Sequence, residues 1–334
     1  MKKISKRPIV IVLFLLALVF PFLSNNYWLD VGILALIYII LAQGLNIVAG
    51  YAGLLDLGYA AFFAIGAYTT GILMTAFDWP FLLTLPVAAC LSAICGVLIG
   101  APTLRLRSDY LAVVTLGFGE IIRITATNLK ITGTATGIFG IPNPNFGGFI
   151  LSEPSHFYYL ILVLAVLTIL VTSRLGKSRV GRAWTYIRED EDAAEAMGVD
   201  RVKMKLLAFT TGAIIGGLAG SFFAVKMGAV SPNSFKVLQS IMILLAVVLG
   251  GIGSVTGVTI GAIIVIMLPE ALRDVSDWRF LVFGIVMIVM MLFRPQGIWP
   301  AKHETEAEPD TDDGTESPPL PIQLKKELDI EGNP

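Results

Sequence analysis

Nine apolar runs separated by short polar stretches decide what this chain can fold into. They fall at about residues 9–24, 31–49, 56–76, 81–100, 110–127, 157–173, 206–225, 240–268 and 280–293. At about 1.5 Å per residue, a helix of about 20 apolar residues crosses a hydrocarbon core about 30 Å thick. Charged residues make up only 15% of the chain, against about a quarter in soluble domains. A membrane barrel would show short alternating segments, whereas these runs are continuous. The expected fold is all-α: a polytopic helical membrane protein of about 8 transmembrane helices plus a broken, re-entrant helix pair.

The net charge of −1 hides a segregation of signs. Residues 304–331 carry ten Asp and Glu against two Lys, which leaves 22 basic and 15 acidic residues in the rest. A membrane domain over 1–303 is therefore expected, with a loop at 174–205. An acidic, Pro-containing tail over 304–334 follows, solvated and without fixed structure. At the other end, MKKISKRP precedes an apolar run in the manner of a secretory leader. SNNYWLD follows where a small-residue cleavage signature would stand, so an uncleaved first span is expected.

Lys and Arg cluster at residues 2–7, at Arg105 and Arg107, and at 174–205, which holds eight. The positive-inside rule places all three in the cytoplasm, and an even number of runs separates each from the next. Run 206–225 then leads outside, while RPQGIWPAKH after residue 293 carries charge that belongs inside. One crossing at 280–293 completes that path, so 240–268 cannot make a single crossing. Its centre, VVLGGIGSVTGV, holds Gly250, Gly251, Gly253 and Gly257, and glycine weakens a helix by about 1 kcal/mol relative to alanine. A helix, a break and a returning helix are expected. Broken backbone at membrane depth survives only inside protein or beside a water-filled cavity.

The first half repeats this feature: NIVAGYAGLLDLGYAAFFAIGAY has Gly50 and Gly53 where the second half has Gly250 and Gly253. Paired interruptions suggest an internal duplication and point toward a translocation site; close helix packing is the alternative. For Ala60, Ala64 and Ala67, at helical spacing, packing is the reading adopted.

Ionisable groups inside a bilayer carry a functional hypothesis by default. Glu120 lies about 15 Å along its helix from Tyr110, and Arg123 follows at i+3 on the same face. An internal ion pair and a direct solute contact are both open. Asp56 is read as an N-cap of the following helix. Cys90 and Cys95 are read as buried packing thiols, and with His156 and His303 they form no metal or catalytic pattern.

The stretch RAWTYIREDEDAAEAMGVDR, 182–201, packs nine charged residues into this apolar chain. Glu189, Asp190, Glu191 and Asp192 suit the positive end of a short helix, and Ala193, Ala194, Ala196 and Met197 favour it and give an apolar face. Gly198 suits a left-handed terminator. Two turns are not stable alone in water, so the helix needs something to dock against.

DAAEAMG resembles the Glu-Ala-Ala, three residues, Gly signature of ABC-importer permeases, with Asp192 in place of Glu and without its later apolar-proline part. GLNIVAGYAGLLDLGYAAFFAIGAY, LAVVTLGFGEIIRI, GRAWTYIREDEDAAEAMGVDRVKMKLLAF, VLGGIGSVTGVTIGA and FRPQGIW together resemble the longer permease subunit of high-affinity branched-chain amino acid importers. The resemblance spans about residues 30–300. Urea-importer permeases are related, and an ion-coupled secondary transporter or channel is the rival of another class.

The resemblance implies a passive pore subunit, multi-pass in a prokaryotic inner membrane with both termini cytoplasmic. Its partners would be a second, homologous permease, two cytoplasmic ATPases and an extracytoplasmic substrate-binding protein, with no nucleic acid among them. No catalytic residue, cofactor or metal is expected, and the sequence has no G-x-x-x-x-G-K-[ST] motif. Coupling to the ATPases would fall to Arg188, Glu191, Asp192, Ala193, Ala194, Met197 and Gly198 within 189–198. The acidic face of that segment would meet basic partner residues, and its alanines and Met197 would give apolar contact. The translocation pathway would take in Asn46, Gly50, Tyr51, Gly53, Glu120, Arg123, Gly250, Gly251 and Gly253.

Overall fold

The computed structural model describes residues 17–22, 24–103, 108–146, 149–150 and 153–273, and beyond these 281, 284–285, 288, 292–294 and 296–300. The chain divides into units at Met1–Ala301 and Lys302–Pro334. The second unit, the acidic tail and most of the first and last predicted spans lie outside the described residues, as do Arg105, Arg107 and His303.

Ten α-helices are described over their whole length in the first unit. They are α1 (Asn26–Leu45), α2 (Ala60–Ala76), α3 (Phe81–Thr103), α4 (Ser108–Asn128), α5 (Pro154–Lys177), α6 (Arg179–Glu189), α7 (Glu191–Ala196), α8 (Arg201–Met227), α9 (Val237–Gly250) and α10 (Val255–Ala271). Five helical stretches among the described residues are long and apolar enough to cross a membrane, and α2, α9 and α10 are shorter apolar helices. Pairs of two-residue strands close two small ladders; one joins Ile138–Phe139 to Ala229–Val230. The all-α, polytopic expectation matches this architecture.

Helix α1 is the axis of the bundle. It is apolar all round, as a fully enclosed helix must be, and 94% of its most apolar window is buried; the figure for α4, at the rim, is 22%. Helix α8 packs against α1, α2 and α3, while α5 and α10 flank α1. Small residues set the closest crossing. A Cβ on Gly66 would lie 1.9 Å from the Gly217 carbonyl oxygen, and one on Gly220 would lie 2.1 Å from that of Phe63. Backbone therefore touches backbone between α2 and α8, the packing that membrane helices favour in the absence of a water-driven force. Ala60, Ala64 and Ala67 are buried, as their packing role requires.

Two expectations need correction. Cys90 is exposed and Cys95 half-buried, both as free thiols; they ride on α3, most of which lies outside the core. Asp56 does not cap α2. That helix begins after Tyr59 without a side-chain cap, and Asp56 Oδ1 instead accepts from Gly58 N at 2.8 Å within the preceding turn.

Helix α9 ends at Gly250, the chain turns through Gly251–Ser254, and α10 returns beside α9, so 240–268 is indeed a broken pair. At 14 residues, α9 is about 21 Å long and falls short of a full crossing. Gly251 (φ 115) and Gly253 (φ 84) occupy conformations closed to most side chains. The end of α9 is finished by the segment after FRPQG: Ile298 N donates to Leu249 O at 2.9 Å and Trp299 N to Gly250 O at 3.0 Å. These two bonds satisfy carbonyls that a helix terminus leaves free.

Candidate functional site

The charged island folds as α6, α7 and the start of α8. Ser178 caps α6 by accepting from Gly181 N at 3.2 Å. Gly181, Trp184 and Ile187 recur at helical spacing and point inward. Asp190 Oδ1 accepts from Asp192 N and Ala193 N, both at 3.0 Å, and so starts α7. Gly198 (φ 85) ends it, with Val199 N donating to Ala194 O at 3.0 Å and Gly198 N to Glu195 O at 2.9 Å. Glu189 is therefore the last residue of α6 and not part of the acidic start of α7.

The loop neutralises much of its own charge. Lys205, almost wholly buried, pairs with Glu191, and Arg201 reaches Glu195 at 3.2 Å and Asp192 at 3.5 Å. Glu191, Asp192 and Glu195 thus have internal basic partners, although the Asp192 carboxylate stays almost fully exposed. Ala194 turns inward at 3% exposure, whereas Met197 stands out at 81%. Ala194 packs the loop against its own chain, while Asp192, Ala193, Glu195, Ala196, Met197 and Gly198 stay exposed. Removing the carboxylate with Glu191→Ala leaves the Lys205 ammonium buried and unpaired. Because Glu191 is nearly half-exposed, the expected cost is on the order of 1–2 kcal/mol, seen as faster proteolysis within 189–200.

Asp200 opens α8 by accepting from Lys203 N at 3.0 Å. That backbone bond, followed by the Lys203 ammonium, holds its carboxyl below the ordinary value. The cap is complete at neutral pH and is lost only as pH falls through the lowered value.

Behind the loop lie both helix breaks. After Leu45, α1 continues as a π-helical turn over Asn46–Tyr51, a winding often found at functional positions. Gly53 (φ 69) follows it. Asn46 Oδ1 accepts from Gly253 N at 2.9 Å, so the two glycine clusters meet directly. Gln43, one turn earlier, donates to Val255 O at 2.8 Å and to Thr259 Oγ1 at 3.0 Å. Each amide keeps one buried atom, Gln43 Oε1 and Asn46 Nδ2, without a partner among the described residues.

The loop is fastened to this junction. Arg188 Nη1 donates to Gly50 O at 2.6 Å, and a Cβ on Gly53 would lie 2.5 Å from Arg188 Cγ. The Tyr51 ring stacks on Trp184 at 6.5 Å and 11°, and Trp184 Nε1 donates to Met204 O at 2.7 Å. Tyr51 also donates to Thr172 O at 3.4 Å. The Arg188 guanidinium is therefore turned into its own chain.

Beyond Gly53 the chain meets α4. Leu57 N donates to Thr115 Oγ1 at 3.1 Å, and a Cβ on Gly58 would lie 1.8 Å from Thr115 O. Farther along α4, Arg123 Nε donates to both oxygens of Glu120, at 2.9 and 3.0 Å, and Nη2 adds a further contact. The pair is part-exposed on a helix that also exposes Val113, Ile121 and Ile124. The structure thus gathers Asn46, Gly50, Tyr51, Gly53, Gly250, Gly251, Gly253 and Arg188 into one buried junction, and sets Glu120 and Arg123 apart on the open side of α4.

Gln43, Trp184 and Lys205 were not singled out from the sequence. Gln43 carried a signal, since two amides three residues apart inside an apolar run share one helix face. Lys205 carried none, because its position among other loop cations gives no sign of burial.

The family model described as branched-chain amino acid transport system / permease component matches residues 27–293. The chain belongs to this permease family. The permease is 41% identical over 321 residues to the high-affinity branched-chain amino acid transport system permease protein LivM of Escherichia coli (strain K12), covering 89% of this chain and 76% of that protein. The corresponding LivM of Salmonella typhimurium matches at the same identity and coverage. The high-affinity branched-chain amino acid transport system permease protein LivH of Escherichia coli (strain K12) is 29% identical over 143 residues, covering 42% of this chain and 45% of that protein. No solved structure matches. The permease is thus a multi-pass membrane protein of a transport family, similar to two distinct permeases of one organism.

Proposed function

We propose that this chain is one of two homologous membrane subunits of an ATP-driven ABC importer for branched-chain amino acids. Two cytoplasmic ATPases would drive it and an extracytoplasmic binding protein would feed it. The loop 174–205 and both termini would face the cytoplasm. The observation that carries the reading is the capped helix α7 with Met197 exposed beside it, on a loop tied through Arg188 to both helix breaks. An exposed methionine on a short, internally neutralised helix suits an apolar groove in a partner. The 41% identity to LivM supports the amino acid class, and similarity to LivH supports a second permease.

The solute path is placed along the open side of α4. A charged pair facing lipid is costly, so such groups face a cavity or protein, and Glu120 and Arg123 offer the opposite charges that a zwitterion's two ends require. The junction of Asn46, Gly50, Tyr51 and Gly53 with Gly250, Gly251 and Gly253 lies behind this face. There the unpaired Gln43 Oε1 and Asn46 Nδ2 provide one acceptor and one donor.

Replacing Glu120 and Arg123 together by glutamine is expected to lower leucine uptake by about tenfold, equivalent to about 1.4 kcal/mol, while the ATPases still co-purify. The test of the function as a whole is uptake into vesicles holding the complete complex and binding protein, comparing leucine, isoleucine, valine and urea. ATP-dependent uptake of the three amino acids is expected. Uptake of urea alone, or uptake by this chain without ATPases, would overturn the reading.

A further inference from the structure

We propose that Arg188 is the strut that carries movement of the docking loop into the membrane, acting on the π-wound turn at Gly50 and through it on α4. The proposal rests on the coupling role assigned to the loop above, and names the residue through which coupling passes.

Arg188 lies in the last turn of α6, two residues before the Asp190 cap of α7. Its guanidinium donates to the Gly50 carbonyl at 2.6 Å, and its stem runs against Gly53, where a Cβ would come within 2.5 Å of Cγ. The absence of a side chain at Gly53 is what lets the arginine stem lie on backbone. Helix α6 is itself held to the start of α8 by the Trp184 bond to Met204 O and to the π turn by the Tyr51 stack on Trp184.

On the membrane side, two connections lead on from this turn. Asn46 Oδ1 holds Gly253 N at 2.9 Å, reaching the α9–α10 break. The chain beyond Gly53 presses Gly58 onto Thr115 O and Gly119 of α4, one residue from Glu120. Three elements that are neighbours only in space are thereby joined through one π turn. Interruptions of this kind sit inside helices that can change register locally. A helix that must change state needs a handle at the interruption, and among the described residues the Arg188 guanidinium is the loop group that grips a carbonyl there.

The role is positional, so its signature is a ratio. The experiment reconstitutes the complete complex in liposomes and measures basal ATP hydrolysis, hydrolysis stimulated by leucine-loaded binding protein, and leucine moved per ATP. Arg188→Met is expected to assemble with all partners and keep basal hydrolysis, while leucine moved per ATP falls by about tenfold, within the usual 5–150-fold span of site-to-site coupling. Arg188→Lys, which keeps one donor, is expected to recover part of the ratio. Gly53→Ala, which displaces the arginine stem, is expected to reproduce the Arg188→Met signature and serves if that variant does not assemble. A wild-type ratio in either variant overturns the proposal, and so does a parallel loss of hydrolysis and transport with the ratio unchanged. Failure of the coupling reading itself would show differently, as normal transport by Met197→Asp.

Discussion

Met197→Asp is expected to abolish ATP-driven leucine uptake while leaving the protein in the membrane at its normal level. The side chain is 81% exposed, touches no part of the core and sits at the C-terminal end of α7. Its loss therefore costs the isolated subunit little, since exposed substitutions away from special features usually stay within about 0.5 kcal/mol. At a buried contact with a partner the same change sets a carboxylate into an apolar groove. Central interface residues of this kind are worth about 2–4 kcal/mol, a loss of roughly thirtyfold to several hundredfold in binding. Co-purification of the ATPases is expected to fall in parallel. Ala194→Arg is a poorer probe, because the inward-facing alanine would disturb the loop's own packing first.

The second large effect is structural. Gly66→Val is expected to remove the folded protein from the membrane. A Cβ at Gly66 would lie 1.9 Å from the Gly217 oxygen and 2.6 Å from its Cα. Both are backbone atoms of α8, so nothing can rotate aside, and α2 must separate from α8 along its length. Overpacking in a closed core costs about 1–3 kcal/mol when side chains can adjust, and the upper end of that range is expected here. Gly117→Val on α4 is the control: nothing lies within 4 Å of its Cβ position, so the subunit should keep its thermal stability in detergent.

The comparison of α1 with α3 shows how far a sequence of this type informs. Mean hydropathy is 2.3 in the best window of α1 and 2.4 in that of α3, yet 94% of the first window is buried and 28% of the second. Lipid and protein interior reward the same side chains, so composition located the helices without showing which stand at the centre. Cys90 and Cys95 were misplaced for this reason. Local chemistry was more transparent. Glycine clusters marked both breaks, and the acidic run 189–192 together with Gly198 marked the two ends of α7, because caps and left-handed turns are specified within a few residues.

What needed coordinates were the long-range pairings. Asn46 meets Gly253 across 207 positions, and Arg188 meets Gly50 across 138. Nothing in one sequence announces such partners. The same limit explains the loop's charge: Glu191 and Asp192 read as an acidic face for a partner until their internal pairing with Lys205 and Arg201 is seen.

Coupling through α7 requires that helix to lie in the cytoplasm under the ATPases, and a cysteine placed at Met197 tests this directly. In a chain with Cys90 and Cys95 replaced by alanine, Met197→Cys would be treated with a membrane-impermeant maleimide in vesicles of known orientation, with and without the ATPases. Labelling is expected in inside-out vesicles only, with protection when the ATPases are bound. Labelling in right-side-out vesicles, or full labelling beneath bound ATPases, would contradict that placement.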